Sequence, residues 1–229
     1  MLEVQALHSG YGRIPILNGV SLTLGQSEIL GVLGHNGAGK TTLMRAIAGF
    51  LPATQGRIAM EGRDLTAAAP FQRANAGLGY VPQGRQIFPA LSVRENLTVA
   101  AARSGRSVDE ILALFPRVAR LLDRPGGALS GGEQQLLALA RCLCTGPSVM
   151  LLDEPTEGIQ PSIIDEIIET LQTINREQGV SILLVEQNLE CLAALSKRIL
   201  LLDRGTIVES IEGQAVHDEA RLASLMMKA

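Results

Sequence analysis

The sequence predicts an α/β fold: parallel strands joined to an N-terminal antiparallel β layer, with an inserted helical subdomain. Three observations predict it. Apolar residues alternate with polar ones at Leu2, Val4 and Ala6 and again at Val20, Leu22 and Leu24, as half-buried antiparallel strands require. Two later runs, Val149-Met150-Leu151-Leu152 and Ile182-Leu183-Leu184-Val185, are continuously apolar, as parallel strands covered on both faces must be. Between them Pro161 opens a helix in which Ile163, Ile164, Ile167, Ile168, Leu171 and Ile174 form one stripe, and Gly179 closes it.

In chain order, Met1-Leu2-Glu3-Val4 opens a strand rather than a signal peptide, and Ile29 to Leu33 reads as another strand. The next eight residues, Gly34-His35-Asn36-Gly37-Ala38-Gly39-Lys40-Thr41, match the pattern GxxxxGK[ST], and a helix-like segment from Thr42 to Ala48 follows, closed by Gly49. A strand before the loop and a helix after it are the context the pattern needs, so the expected core is that of a P-loop NTPase. Glycines let the backbone wrap a phosphate, and the amides and partial positive charge of the helix start complete an anion site. Lys40 is expected to reach the β- and γ-phosphates of a nucleotide and the Thr41 hydroxyl to ligate Mg2+. Because backbone amides do the binding, the His35 side chain is read as incidental.

The segment from about Ser92 to Leu129 is rich in Arg and Ala, has helical spacing at Ile111, Leu112 and Phe115, and contains no convincing strand. It reads as the inserted subdomain. Ile199 to Leu202, Asp203-Arg204-Gly205 and Thr206 to Val208 read as a hairpin, and Glu219 to Met227 as one short terminal helix. The expected division of the single domain 1–229 is a RecA-like core over about 1–83 and 141–229, with the helical subdomain over about 84–140.

Composition narrows the function. A chain of 229 residues that is 46% hydrophobic can bury a full α/β core, and with 3% aromatics and no Trp that core must be aliphatic. A net charge of −3 argues against a nucleic-acid partner, whose binder carries a basic face. No stretch reaches the length of a membrane span, so the chain is expected in the cytosol or held at a membrane only by a partner. Cys142, Cys144 and Cys191 have no metal spacing and read as reduced, buried thiols. His8 and His217 lack partners at ligand spacing, and Arg117, Arg120 and Arg124 read as a solvated helix face. Ile87, Phe88 and Leu91 are either contacts for a membrane subunit or core packing.

A second anion site is suggested by Leu129-Ser130-Gly131-Gly132-Glu133-Gln134-Gln135 ahead of the apolar helix Leu136 to Leu143, with the Ser130 hydroxyl and the Gly131 and Gly132 amides as donors. A few residues later the strand Val149 to Leu152 delivers Asp153 and Glu154 at its C-terminal edge, where an open α/β sheet places ligands. Asp153 is read as holding Mg2+ through water and Glu154 as polarising the attacking water.

These motifs, together with Gln83 in Gly79-Tyr80-Val81-Pro82-Gln83, resemble those of ATP-binding cassette (ABC) ATPases in order and spacing, over essentially the whole chain. The resemblance implies a head-to-tail dimer, either a homodimer or a heterodimer with a second ABC ATPase. ATP would lie between the phosphate loop of one subunit and Ser130, Gly131 and Gly132 of the other. It further implies that Tyr11 stacks on adenine, and that Gln83 contacts Mg2+ or the attacking water and links the site to the helical subdomain. The implied partners are transmembrane permease subunits and, indirectly, a solute-binding protein, with the chain peripheral on the cytoplasmic face of a bacterial inner membrane.

Two departures narrow the subfamily. Glu157-Gly158-Ile159-Gln160-Pro161 stands where most members have a Ser-Ala-Leu-Asp type loop, and Val185-Glu186-Gln187-Asn188 stands where most carry a histidine. Gln187 can donate to the γ-phosphate but cannot carry a proton. VEQN resembles ATPases of importers for branched-chain amino acids and small amides. DEPTEGIQPSII and the run from Val81 to Pro89 look similar to the smaller ATPase of urea importers. The alternative readings are an ABC ATPase for lipid or lipopolysaccharide extraction and one acting on nucleic acid.

Overall fold

The computed structural model describes residues 1–218, 221, 222 and 224. Its first half contains β1 (Leu2–Tyr11), β2 (Ile14–Leu24), β3 (Ile29–Leu33), α1 (Lys40–Ile47), β4 (Gln55–Met60), β5 (Arg63–Asp64), α2 (Pro70–Asn75) and β6 (Leu78–Val81). The helical stretch α3 (Val93–Ala101), α4 (Val108–Ala113), α5 (Pro116–Ala119) and α6 (Gly131–Cys144) follows. Then come β7 (Val149–Asp153), α7 (Pro161–Gln178), β8 (Ser181–Glu186), α8 (Leu189–Leu195), β9 (Arg198–Asp203) and β10 (Thr206–Glu212). Most of the terminal helix expected over 219–227 lies outside the described residues.

The strands form two sheets. One is antiparallel with order β2-β1-β4-β5; the other has order β10-β9-β3-β8-β7-β6 and is parallel except for β10, which pairs antiparallel with β9 at one edge. Every residue of β3, β7 and β8 is buried, as strands covered on both faces must be. One apolar core lies under α1 and the antiparallel sheet, and a second lies under α6, α7 and α8.

The alternation expected through Ala6 breaks there. The β1–β2 register shifts between Val4 and Leu7, Ala6 takes a positive φ of 44° and is exposed, and Leu7 enters the core in its place. An inserted residue flips the faces of all that follow it, so the sequence period continues one position out of step. The β4–β5 hairpin was not legible by alternation, because Ile58, Ala59 and Met60 are all buried in succession.

The helical stretch holds no strand among its described residues, and α6 runs through residue 140 to Cys144. In α7 the inner stripe is Ile163, Ile167, Leu171 and Ile174, while Ile164 and Ile168 are half-buried at its border; Gly179 ends the helix at φ 67°. Arg117 does more than face solvent, since its Nε donates to Glu166 Oε2 at 2.7 Å and ties α5 to α7. Ile87 packs against the core, whereas Phe88 is 43% exposed. All three cysteines are buried free thiols.

Candidate functional site

The phosphate loop joins the C-terminal end of β3 to the start of α1, inside the parallel sheet. Gly39 caps the helix at φ 109°, a left-handed backbone that a side chain would strain. This turn places Lys40, only 4% exposed, back over the loop. Its Nζ donates to Gly34 O at 2.6 Å and His35 O at 2.9 Å and lies 3.0 Å from Glu154 Oε1. Three acceptors match the three protons of a buried ammonium.

Glu154 occupies left-handed backbone at φ 49°, uncommon for any residue but glycine, and its N–H donates to Val185 O at 2.9 Å. Its carboxylate collects amide donors from two other segments: Gln187 Nε2 at 3.0 Å from Oε1 and Gln83 Nε2 at 3.4 Å from Oε2. Gln187 Nε2 also donates to Asn36 Oδ1 at 2.8 Å, and Gln83 Nε2 to Glu157 Oε2 at 2.8 Å. A carboxylate held this way can accept a proton from a water placed against it.

Asp153 is buried beside Glu154. Thr41 Oγ1 donates to its Oδ1 and the Tyr80 hydroxyl to its Oδ2, both at 3.2 Å. Burial raises the Asp153 carboxyl from 3.8 to about 6, against the opposing pull of those two hydrogen bonds. Burial, then the Asp153 charge, also raises the Tyr80 hydroxyl, which remains a donor. The Thr41 hydroxyl and one carboxylate make a hard oxygen set that fits Mg2+, which is held by one or two carboxylates together with substrate phosphates rather than by a protein cage. Among the described residues there is no cluster of three or more His, Cys, Asp or Glu able to bind a metal.

A cavity of about 290 Å³ over the loop is lined by His35, Asn36, Gly37, Gly39, Lys40, Thr41, Thr42, Gln83 and Glu154, with Ile16 on its flank. Gly34 and Ala38 are buried in the wall of the loop. Tyr11 does not line this cavity; it is 42% exposed and stands against Arg45, whose guanidinium carbon is 5.9 Å from the ring centroid.

Ser130, Gly131 and Gly132 do not line this cavity. Ser130 caps α6: its Oγ accepts from Glu133 N at 3.3 Å while its own N–H donates to Glu133 Oε2 at 2.7 Å. Both glycines permit close approach. A Cβ on Gly132 would sit 2.9 Å from Ile163 Cγ2, and one on Gly131 would sit 3.0 Å from two guanidinium nitrogens of Arg85.

Sequence alone gives no role to Tyr80, Glu157 or Ile16, which the structure brings to the site through contacts between segments far apart in the chain. A larger cavity of about 750 Å³ adjoins the site, running from Thr41 and Asp153 out to Phe50, Phe71, Phe88 and Val99. Arg141 crosses it, its guanidinium carbon 4.3 Å from the Phe88 centroid and its Nη1 donating to Gln86 O at 2.8 Å.

The ABC transporter family profile matches residues 17–157. The chain is 37% identical to the high-affinity branched-chain amino acid transport ATP-binding protein BraG of Pseudomonas aeruginosa, over 94% of each chain. It is 32% identical to the lipopolysaccharide export system ATP-binding protein LptB of Haemophilus influenzae, over 96% of this chain and 94% of that one. In fold it resembles the ADP conformation of MJ1267, an ATP-binding cassette of an ABC transporter, with a TM-score of 0.88 at 24% identity over 100% of this chain and 97% of that one. A GxxxxGK[ST] loop between a buried strand and a helix, a paired acidic strand end and relatives matched nearly end to end converge on one assignment: the chain belongs to the ABC transporter ATP-binding family and is an ATPase.

Proposed function

We propose that this ATPase powers an importer for a small polar solute, a branched-chain amino acid or amide or urea, from the cytoplasmic face of a bacterial inner membrane. The observation that carries the importer reading is the glutamine-bearing turn Glu186-Gln187-Asn188 in a chain 37% identical to a branched-chain amino acid transport ATPase across 94% of each protein.

In the proposed reaction, the phosphate loop and Lys40 hold the β- and γ-phosphates, with Lys40 exchanging its contacts to Gly34 O, His35 O and Glu154 for phosphate oxygens. Glu154 takes a proton from water as the water oxygen bonds to the γ-phosphorus. The bond from that phosphorus to the β,γ-bridging oxygen breaks, and ADP leaves with the electron pair. Gln187 and Gln83 orient Glu154 through the hydrogen bonds they already make to it. Thr41, Asp153 and Gln83 would hold Mg2+, which when bound neutralises phosphate charge.

Ser130, Gly131 and Gly132 complete the site across a head-to-tail dimer, formed with a second copy or a second ABC ATPase. This reading is supported by their separation from the cavity over the phosphate loop. The helical segment, about 84–140, carries one wall of the larger groove. That groove, apolar at Phe50, Phe71, Phe88 and Val99 and ending at Thr41 and Asp153, suits a permease segment whose movement must reach the nucleotide. Tyr11 is assigned to adenine.

The 32% identity to a lipopolysaccharide export ATPase keeps a second reading in view. Both are tested by reconstituting the chain with its permease in vesicles. ATP-dependent uptake of leucine, valine or urea, lost in Glu154→Gln while MgATP binding persists, is the expected result. Stimulation by lipopolysaccharide without solute uptake selects the second reading. The turnover loss expected for Glu154→Gln is at least ~10²-fold, the scale of a removed general base.

A further inference from the structure

Glu186 lies outside the cavity over the phosphate loop, yet it is a carboxylate only 2% exposed that accepts four hydrogen bonds. Its Oε1 accepts from Thr156 N at 2.9 Å and from Thr156 Oγ1 at 2.5 Å. Its Oε2 accepts from Gln187 N at 2.7 Å and from Asn188 N at 3.1 Å. Thr156 stands two residues after Glu154, and Gln187 follows Glu186 at the end of β8. One side chain therefore fastens together the turns that leave two adjacent parallel strands, β7 and β8.

The chemistry is particular to a carboxylate. Four donors converge on two oxygens, and an amide in the same place turns its own NH₂ toward two of those donors whichever way it is flipped. The position is also one where small errors reach the reacting groups. Glu154 sits in left-handed backbone, a conformation that persists only where its surroundings fix it. Its N–H is held by Val185, and the chain just beyond it is held by Glu186 through Thr156. The other turn held by Glu186 carries Gln187, whose amide touches Glu154 at 3.0 Å.

We infer that Glu186 is a positioning residue for ATP hydrolysis, locking the Thr156 turn to the Gln187 turn and thereby setting the Gln187 amide against the Glu154 carboxylate. The inference rests on Glu154 and Gln187 acting in turnover as proposed above.

The test is a set of steady-state ATPase measurements on the full chain carrying Glu186→Gln, Gln187→Ala, the two together, Thr156→Val and Glu154→Gln. Glu186→Gln is expected to lower kcat about tenfold or more while KM for ATP stays within about twofold, the pattern of an interaction needed in the transition state rather than for binding. In the Gln187→Ala background it is expected to lower kcat by less than about twofold further, because residues acting through one another are not additive. Thr156→Val, which keeps the shape and removes the hydroxyl, is expected to show the same non-additivity and decides the matter if Glu186→Gln does not fold. Unchanged kcat in Glu186→Gln, losses that multiply with Gln187→Ala, or a KM rise matching the kcat fall each overturn the inference. Normal turnover in Glu154→Gln sinks the underlying site assignment. Normal turnover in Glu186→Gln beside an inactive Glu154→Gln sinks this inference alone.

Discussion

At Gln187 both amide protons are engaged, one by Asn36 Oδ1 and one by Glu154 Oε1, so a γ-phosphate contact requires one of these bonds to be exchanged. Alanine removes both donors, whereas histidine keeps a donor at comparable reach. Gln187→Ala is therefore expected to lose most of its turnover and Gln187→His to keep part of it, with hydrogen bonds to charged groups worth about 1.5–3 kcal/mol setting the scale. ATPase assays of the complete transporter check this, and full activity in Gln187→Ala refutes it. Asp153 gives a prediction of opposite sign for stability. Its folded-state value of about 6 lies above the ordinary 3.8, so the folded protein holds that proton more tightly than the unfolded chain does. The resulting stabilisation is complete below 3.8 and is lost as pH rises through about 6. At pH near 7.5 the ionised carboxylate weighs against the fold, so Asp153→Asn is expected to raise Tm there by several degrees, at roughly 2–4 °C per kcal/mol, and by about half as much near pH 5, where the stabilisation is only partly lost. Calorimetry without nucleotide at both pH values measures this, and equal shifts at the two would show that the carboxyl is not raised. The residues behind both predictions were legible because their motifs are contiguous. Tyr80 and Glu186 were not, because hydrogen bonds between strand ends far apart in sequence leave no local pattern.

At the scale of elements, the run Val149 to Leu152 and the stripe of α7 were readable because burial on both faces, or along one stripe, writes itself into sequence period. In the antiparallel layer the alternation held through Val20, Leu22 and Leu24 of β2 but in β1 only to Val4, since a register shift cannot be seen in the strand that carries it. Arg73 of α2 is another feature that composition hides. Only 2% exposed, it donates from Nη1 to Ala46 O at 2.8 Å and Ile47 O at 2.6 Å, the last carbonyls of α1. Its Nε donates to Ala68 O at 2.9 Å and its Nη2 to Thr66 O at 3.0 Å. One guanidinium thus closes the end of the helix that carries Lys40 and Thr41, giving Ile47 O a donor and Ala46 O a second one beside the Gly49 N–H at 3.2 Å. Arg73→Met retains much of the volume but takes the guanidinium donors from Ile47 O, Ala68 O and Thr66 O and one of the donors from Ala46 O. It is expected to cost about 2–3 kcal/mol and to lower Tm by roughly 5–10 °C in thermal unfolding. A Tm within about a degree of the parent would mean that water replaces the guanidinium at little cost.

At the scale of the whole molecule, the two elements proposed to hold phosphate do not share the cavity over the loop. Lys40 is folded over its own loop against Glu154, while Ser130 opens α6 on an exposed turn away from that cavity. A site that needs both elements must draw them from two chains, and a closed two-fold pairing makes two such composite sites. The consequence can be tested by mixing inactive proteins. Lys40→Ala removes the phosphate-loop cation from one chain, and Ser130→Arg blocks the α6 start of the other. In the mixed dimer one composite site carries both changes and the other carries neither. Mixing the two is therefore expected to recover part of the hydrolysis that each lacks alone, up to about a quarter of the parental rate if half the dimers are mixed and sites act independently. Recovery that grows with the mixed fraction establishes the shared site. If none appears although cross-linking shows that mixed dimers form, Ser130 and Lys40 do not act on the same nucleotide. If mixed dimers do not form, the chain pairs with a different ATPase, and the same two substitutions divided between the two proteins then carry the test.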